Sequence, residues 1–337
     1  MRRAIILNDP DRQSYQIIGA HFRRTFEAAG IEVAEWPLPL DRAARRRAAR
    51  EAAGAVVFHN TIGPLFEPLP GVVNVALPLH EWSRYPAGWI ERLNRFDAVW
   101  ASSRFVARVL RMSGLKAPLS WVPPALDLEL PPPKRSWAAT RPFRFLACGE
   151  AHFRKGFHLL VAGFVEAFPL VGEATLTIKT SPGCSWKSPR RDIVFKTEAL
   201  PRQRLLGLYR RYDAFVSTSL GEGLGLPVAE AVLAGLPVVA NRWSGHADLL
   251  AADACYAIPF RLVTQPFSSD PSYYADGQRC AWSDPADIAA ALRKVAGETP
   301  AAHQRVAKAA RRHLSRDFGA AAAARRLRGA WGRIPRH

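Results

Sequence analysis

Cysteine is scarce in this chain, and none of it is placed to hold a metal or a disulfide framework. Its four cysteines, Cys148, Cys184, Cys255 and Cys280, are scattered through 337 residues. They form no C-x-x-C pair, and no histidine lies near them at zinc-finger spacing. The pattern excludes a zinc finger and a disulfide-stapled secreted domain, and it predicts reduced thiols.

Long hydrophobic runs are also missing. The longest apolar stretch, around residues 69–79, is interrupted by proline and asparagine, and it is shorter than the ~20 residues that span a bilayer. The apolar stretch 4–7 that follows the basic residues 2 and 3 is too short for the core of a signal peptide. We therefore expect a cytoplasmic protein, with peripheral contact at the inner membrane surface as an open alternative.

Acidic residues are few: 29 stand against 47 basic ones, so the net charge is +18. The excess is concentrated in residues 293–337, which carry 12 basic and 2 acidic residues, with a smaller group at Arg42, Arg45, Arg46, Arg47 and Arg50. Such an excess suits nucleic acid, anionic lipid or a phosphorylated small substrate. No zinc finger, basic zipper or RNP motif is present, so we expect no nucleic-acid partner. Contact of helix 42–50 with an anionic membrane stays open beside a simple solvated helix.

Short apolar segments alternate with helical patterns, which predicts parallel sheets covered by helices. The alternation stops at a proline-rich stretch and then restarts. We predict an N-terminal domain over 1–128, a linker over 129–142 and a second domain over 143–300. Two Ala/Arg helices over 301–337 are expected to pack back on the first domain. Ligands of such sheets bind beyond the carboxyl ends of the strands, so the cleft between the domains is the expected site.

The segment 219–231 is the most informative part of the sequence. A predicted strand ends near Ser219, three glycines follow at positions 221, 223 and 225, and a helix begins near Pro227. Glycines allow the backbone to approach a ligand closely, and the free N–H groups of a helix N-terminus attract a diphosphate. Glu222 in the turn and Glu230, about one turn into the helix, supply acceptors for the hydroxyls of a sugar and a ribose.

This segment resembles the Glu-x7-Glu signature of retaining GT-B glycosyltransferases, family 4 in particular. The likeness continues through the stretch 234–240, Ala-Gly-Leu-Pro-Val-Val-Ala, and through the Arg-Lys-Gly segment at 154–156. It covers most of residues 70–295. It implies a GT-B fold, in which two Rossmann-like doubly wound domains face each other across a cleft.

The resemblance implies roles for individual residues. Glu222 would contact the donor sugar, Glu230 the ribose, and Lys155 and Arg154 the donor diphosphate, while Gly223, Leu224 and Gly225 would lie against the phosphate or the sugar. It also implies a retaining, front-face transfer from a nucleotide-sugar to an acceptor hydroxyl of a glycan, a lipid-linked compound or a small molecule. No metal or other cofactor is expected.

Three further residues carry weaker predictions. His80 follows a strand of the first domain, where related enzymes place an acceptor-side histidine, although a lone histidine is more often structural. Gly19 is a candidate for a loop in which the backbone approaches the ligand. Lys179 ends a strand, and we favour a solvated strand terminus over a contact with the donor phosphate or base.

One departure from the family pattern keeps an alternative open. The family often places an arginine directly after the glycine that ends the first strand of the second domain, whereas this chain has Gly149-Glu150. Either Arg154 takes that role or donor binding is altered. A catalytically impaired protein that binds a nucleotide-sugar or a partner therefore remains an alternative, as does a GT-B phosphorylase or epimerase.

Overall fold

The computed structural model describes residues 3–126, 142–266 and 273–335. The predicted linker 129–142 lies outside these residues except for residue 142. The chain divides into two compact units. The first comprises Met1–Asp127, Ser268–Gln278 and Ser315–His337, and the second comprises Leu128–Phe267 and Arg279–Leu314.

A six-stranded parallel sheet forms the centre of the first unit. Its strands are β1 (Ala4–Asn8), β2 (Val33–Pro37), β3 (Val56–Asn60), β4 (Val73–Ala76), β5 (Ala98–Ala101) and β6 (Leu119–Trp121). They lie in the order β2-β1-β3-β4-β5-β6. Every residue of β1, β3, β4 and β5 is buried, as expected of strands covered on both faces.

Four helices connect these strands: α1 (Gln13–Ala28), α2 (Arg42–Glu51), α3 (Ala87–Leu93) and α4 (Arg104–Met112). The side chains of Asp41 and Ser103 cap α2 and α4 by accepting a backbone N–H of the first turn. Gly19 lies inside α1 rather than in a loop. A Cβ atom on Gly19 would be 2.1 Å from Asn8 Oδ1, so this glycine makes room for a buried side chain.

The C-terminal helices are α9 (Pro300–Phe318) and α10 (Ala320–Trp331). Helix α10 packs on α1, and the Trp331 ring lies 6.0 Å from Phe26 and 5.9 Å from Phe58, between ring centroids. The Trp121 ring has the guanidinium groups of Arg104 and Arg326 at 4.2 Å each, an attractive cation–π geometry. The end of the chain therefore contributes to the core of the first unit.

The second unit is built on a second six-stranded parallel sheet. Its strands are β7 (Phe143–Cys148), β8 (Ala174–Lys179), β9 (Ile193–Lys196), β10 (Ala214–Ser217), β11 (Val238–Ala240) and β12 (Tyr256–Ala257). They lie in the order β12-β11-β10-β7-β8-β9. An antiparallel hairpin of β13 (Arg261–Thr264) and β14 (Arg279–Trp282), which the sequence did not predict, follows.

The helices of the second unit are α5 (Phe157–Ala167), α6 (Arg202–Tyr209), α7 (Leu226–Leu233) and α8 (Pro285–Gly297), together with the part of α9 up to Leu314. A 3-10 turn, Gly245–Leu249, follows β11. The Gly245 N–H donates to the Glu222 carbonyl. The two parallel sheets confirm the predicted α/β class with two Rossmann-like domains.

Candidate functional site

The strand order of the second unit defines where a ligand is expected. The chain runs outward from β7 to β9 and then returns to β10 on the other side of β7. The loops after β7 and β10 therefore leave the sheet in opposite directions, and ligands of open α/β sheets bind at such a switch point. Lys155 lies in the loop after β7, and Glu222 lies in the loop after β10.

The structure brings together three of the predicted site residues. Lys155 Nζ donates to Glu222 Oε1 at 2.6 Å, and Arg154 Nη1 lies 3.4 Å from Glu222 Oε2. Arg154 also donates to the Gly221 carbonyl at 2.7 Å. The side chains of all three residues are at most 18% exposed, so the charges interact in a site that excludes much of the water.

The charge of Glu222 follows from these contacts. Burial alone would raise the pKa of the Glu222 carboxyl, but the Lys155 and Arg154 charges outweigh burial and lower that pKa to about 2. Glu222 is therefore an ionised acceptor at neutral pH. Two cations share one carboxylate, which leaves one positive charge in excess.

This lowered pKa predicts a pH dependence of stability. A carboxyl whose pKa is lower in the folded than in the unfolded protein stabilises the fold above the unfolded value, near 4.5, and this contribution is lost as the pH falls towards 2. The stability difference between wild type and Glu222→Gln is expected to shrink by up to about 3 kcal/mol from pH 5 to pH 2. Urea unfolding across that range measures it.

The matched control for that experiment is Glu198→Gln, because Glu198 is half-exposed and 3.9 Å from its partner Lys196. Its stability difference from wild type is expected to stay within a few tenths of a kcal/mol over the same range. Parallel pH profiles for wild type and Glu222→Gln would contradict the assignment.

Gly156 fixes the turn that carries Arg154 and Lys155. Its φ is 65°, in the left-handed region, and it both ends the turn 153–155 and begins α5. A Cβ atom here would be 2.2 Å from the Thr218 carbonyl oxygen. The Leu220 N–H donates to the Arg154 carbonyl at 2.7 Å, so the two loops are bonded to each other directly.

Ser244 holds the backbone of Glu222, a role that sequence reasoning missed. The Glu222 N–H donates to Ser244 Oγ at 2.8 Å, and the Gly245 N–H donates to the Glu222 carbonyl at 2.7 Å. Among the described residues Ser244 is the one non-glycine with positive φ, 62°, a strained conformation that tends to persist where function requires it. No sequence pattern singles out this serine.

The predicted glycine loop, residues 221–225, packs against the loop that carries Ser244 and Gly245. A Cβ atom on Gly245 would be 2.1 Å from the Gly223 carbonyl oxygen, and one on Gly225 would be 2.5 Å from His246 Cβ. Gly225 adopts φ 93° as the residue before α7, and Leu224 is buried. Close contact between the two loops, rather than open space, is what requires glycine at positions 225 and 245.

Glu230 is buried, and each of its two carboxylate oxygens contacts a residue of α6. Arg202 Nη1 lies 2.5 Å from Glu230 Oε1, and the Tyr209 hydroxyl donates to Oε2 at 2.6 Å. The Cys148 thiol is beside them, and burial together with the Glu230 charge raises the pKa of Cys148 to about 11. Glu230 therefore lies at the same end of the sheet as Glu222, but with two partners within the protein.

Lys179 is not the solvated strand terminus that the sequence suggested. It is 7% exposed, and its Nζ donates to the Thr180 carbonyl at 2.5 Å. It pairs in register with Cys148 on β7, and its charge acts on the Cys148 thiol. Burial follows because β8 is an inner strand, flanked by β7 and β9.

His80 lies in the interior of the first unit, 1% exposed. Its Nε2 donates to the Arg84 carbonyl, and its ring centroid lies 4.4 Å from Tyr85 and 5.3 Å from Trp89. Its catalytic role stays a prediction. Glu150, the departure noted above, is exposed.

The described residues offer neither a metal site nor a membrane-spanning helix. No group of three or more His, Cys, Asp or Glu side chains there could hold a metal ion. No helix in the described ranges is long and apolar enough to cross a membrane. All four cysteines are free.

Solved structures share the fold of the whole chain at low sequence identity. Anabaena Alr3699/HepE, in complex with UDP and glucose, aligns with a TM-score of 0.71 over 98% of this chain and 100% of its own, at 13% identity. Sucrose-phosphate synthase from Thermosynechococcus elongatus aligns with a TM-score of 0.73 over 99% of both chains, also at 13% identity. These similarities show the GT-B fold.

Curated relatives match parts of the chain. The GtfA subunit of the UDP-N-acetylglucosamine–peptide N-acetylglucosaminyltransferase of Streptococcus agalactiae is 30% identical over 112 residues, 32% of this chain and 22% of the relative. Glycogen synthase of Mycobacterium tuberculosis is 30% identical over 186 residues, 53% of this chain and 40% of the relative. The chain spans less than half the length of either relative.

A family model covers more of the chain. The model described as "Family 4 Glycosyltransferase in conflict systems" matches residues 104–327, which is more than half of the sequence. This range includes the Arg154–Lys155 turn, Glu222, Glu230 and the sheet that positions them. The chain therefore belongs to the family 4 glycosyltransferases in conflict systems.

Proposed function

We propose that this chain is a metal-independent, retaining glycosyltransferase that moves a sugar from a nucleotide-sugar to an acceptor hydroxyl. The observation that carries the proposal is the convergence of Arg154 and Lys155 on Glu222 at the switch point of the second sheet. The family match and the fold support the same conclusion.

The charges suit a diphosphate leaving group. Negative charge develops on the departing phosphate during sugar transfer, and cations already fixed in a site of low exposure stabilise it without reorganising. Arg154 and Lys155 are such cations, and α7 begins directly after Gly225, so the positive end of its dipole lies at this loop. These protein groups would do the work for which other transferases use a divalent metal.

Glu222 would bind hydroxyls of the donor sugar. Its carboxylate is ionised, because the pKa is lowered to about 2, and an ionised carboxylate accepts strong hydrogen bonds from hydroxyls. Lys155 and Ser244 fix its side chain and its backbone. In the front-face route, the departing phosphate itself helps to remove the proton of the acceptor hydroxyl, so retention needs no further base.

UDP-sugars are the donors that the relatives support. The Streptococcus agalactiae relative is named for UDP-N-acetylglucosamine, and the Anabaena structure holds UDP and glucose. We therefore place UDP-glucose and UDP-N-acetylglucosamine first among the donors to be tested.

A nucleotide panel tests the proposal. The unfolding temperature of the purified protein is measured with UDP, GDP, ADP, CDP and dTDP, and then with the matching nucleotide-sugars. A ligand at about 100 times its Kd adds roughly 2.7 kcal/mol of stability. One selective diphosphate, release of that diphosphate from its sugar donor, and an unchanged anomeric configuration in the product are expected. A folded protein that responds to no member of the panel would contradict the proposal.

A protein that binds the nucleotide-sugar without turnover is the second candidate. Two observations favour it: Glu150 stands where the family often has an arginine, and both oxygens of Glu230 are already bonded to Arg202 and Tyr209. Tight binding of a nucleotide-sugar without release of the diphosphate, over a wide range of acceptors, would select this candidate.

A further inference from the structure

Lys179 is a buried cation that the proposed mechanism does not use. It is 7% exposed at the carboxyl end of β8, next to the switch point. Its ammonium carries three N–H donors, and one of them bonds to the Thr180 carbonyl. Among the described residues no carboxylate lies within 4.0 Å of Lys179 to form an ion pair. A buried charge without a counter-charge is costly.

The neighbouring cations differ from Lys179 in having carboxylate partners. Arg154, Lys155 and Arg202 each lie against a carboxylate: Glu222 is shared by Arg154 and Lys155, while Glu230 pairs with Arg202. Among the described residues, Lys179 has no such carboxylate partner.

The position of Lys179 relates it to the same site. It is the register partner of Cys148, and the Cys148 thiol is within electrostatic range of Lys155, Lys179 and Glu230. The Gly149 N–H donates to the Lys179 carbonyl at 3.0 Å. A Cβ atom on Gly149 would be 3.1 Å from Lys155 Cε, so the Lys155 stem and the end of β8 flank the same residue.

We propose that Lys179 is a diphosphate-binding residue: its ammonium pairs with one phosphate of the donor, while Lys155 and Arg154 act on the other. This inference rests on the proposed function, because it assigns the partner to the same donor. A nucleotide-sugar carries one negative charge on each of its two phosphates, so one phosphate is available to Lys179 while the other faces Lys155 and Arg154. The diphosphate would supply the counter-charge that Lys179 lacks among the described residues.

The test compares Lys179→Met with wild type against ligands that differ only in phosphate content. Binding of UDP and of inorganic pyrophosphate is expected to weaken about tenfold to a hundredfold, since a charge-assisted hydrogen bond is lost. Binding of UMP is expected to weaken less, and binding of uridine to stay unchanged. Isothermal titration calorimetry measures all four ligands on the full chain.

A second measurement separates ligand binding from a structural role. Removing an uncompensated buried charge is expected to leave the unfolding temperature of unliganded Lys179→Met equal to or above that of wild type. Lys196→Met is the matched control: Lys196 is the register partner of Lys179 on β9, but it is 38% exposed and lies near Glu198. That variant is expected to bind all four ligands as wild type does.

Each result of these two measurements either supports the role of Lys179 or overturns it. Unchanged binding of UDP and pyrophosphate by Lys179→Met, or an equal loss of uridine and UDP binding, would overturn it. It would also fall if Lys179→Met and Lys179→Gln both lowered the unfolding temperature of the unliganded protein by several degrees. If wild type bound pyrophosphate through Lys179 but no nucleoside diphosphate, the anion site would stand and the proposed function would fail. If wild type bound neither, both would fail.

Discussion

Lys155→Ala is expected to lower the turnover of the sugar transfer by about 10²–10³, the usual effect of removing one preorganised group that stabilises a developing negative charge. The Lys155 side chain is only 12% exposed, and its Nζ is fixed at 2.6 Å from Glu222 Oε1. The variant therefore loses both the charge that faces the leaving group and the contact that orients Glu222. Release of the nucleoside diphosphate from its sugar donor measures the effect.

The control is Lys196→Ala, which removes the same charge from the exposed end of β9. It is expected to keep the wild-type rate. We expect Lys155→Ala to remain folded, because Arg154 still lies 3.4 Å from Glu222. Circular dichroism checks this. Full transfer activity in a folded Lys155→Ala protein would show that the diphosphate binds elsewhere.

Gly156→Ala is expected to be the most damaging conservative change in the second unit. The left-handed conformation of Gly156 costs an alanine ~1–2 kcal/mol, and the new methyl group would lie 2.2 Å from the Thr218 carbonyl oxygen. Relief of that clash requires the two loops to separate, at a cost of typically ~1–3 kcal/mol. Urea unfolding should show the sum, and UDP binding should weaken because Lys155 moves with the turn.

Gly172→Ala separates the two contributions. Gly172 also has positive φ, 99°, but no heavy atom lies within 4 Å of the position of its Cβ atom. It should therefore show the conformational cost alone and keep wild-type binding of UDP. Equal destabilisation by the two substitutions would mean that the contact with Thr218 has no part in holding the site together.

The fold and the centre of the candidate site could be predicted because the patterns that indicate them lie within short stretches of the sequence. Alternating apolar segments indicated the two parallel sheets, and the strand–glycine–helix pattern around Glu222 placed it at the carboxyl end of β10. The Arg-Lys-Gly segment likewise follows β7. Because β7 and β10 are neighbours in the sheet, residues 67 positions apart in the chain come into contact.

What could not be predicted depends on contacts that no local pattern contains. Whether Lys179 is solvated depends on β9 covering β8 on its outer side. The role of Ser244 depends on a backbone N–H from another loop. Gly19 looked like a loop glycine because its neighbour across the fold, Asn8, is 11 positions away in sequence.

The packing of α10 has a consequence for biosynthesis. Phe26 and Phe58 receive one of their aromatic partners, Trp331, from the far end of the chain. At ~5–20 residues per second, a ribosome needs about 10–40 s to proceed from residue 126 to residue 331. During that time the α1 surface that α10 will cover is open to water and to other nascent chains. The first unit is thus begun early in translation but completed late, so part of its apolar surface stays exposed until α10 is made.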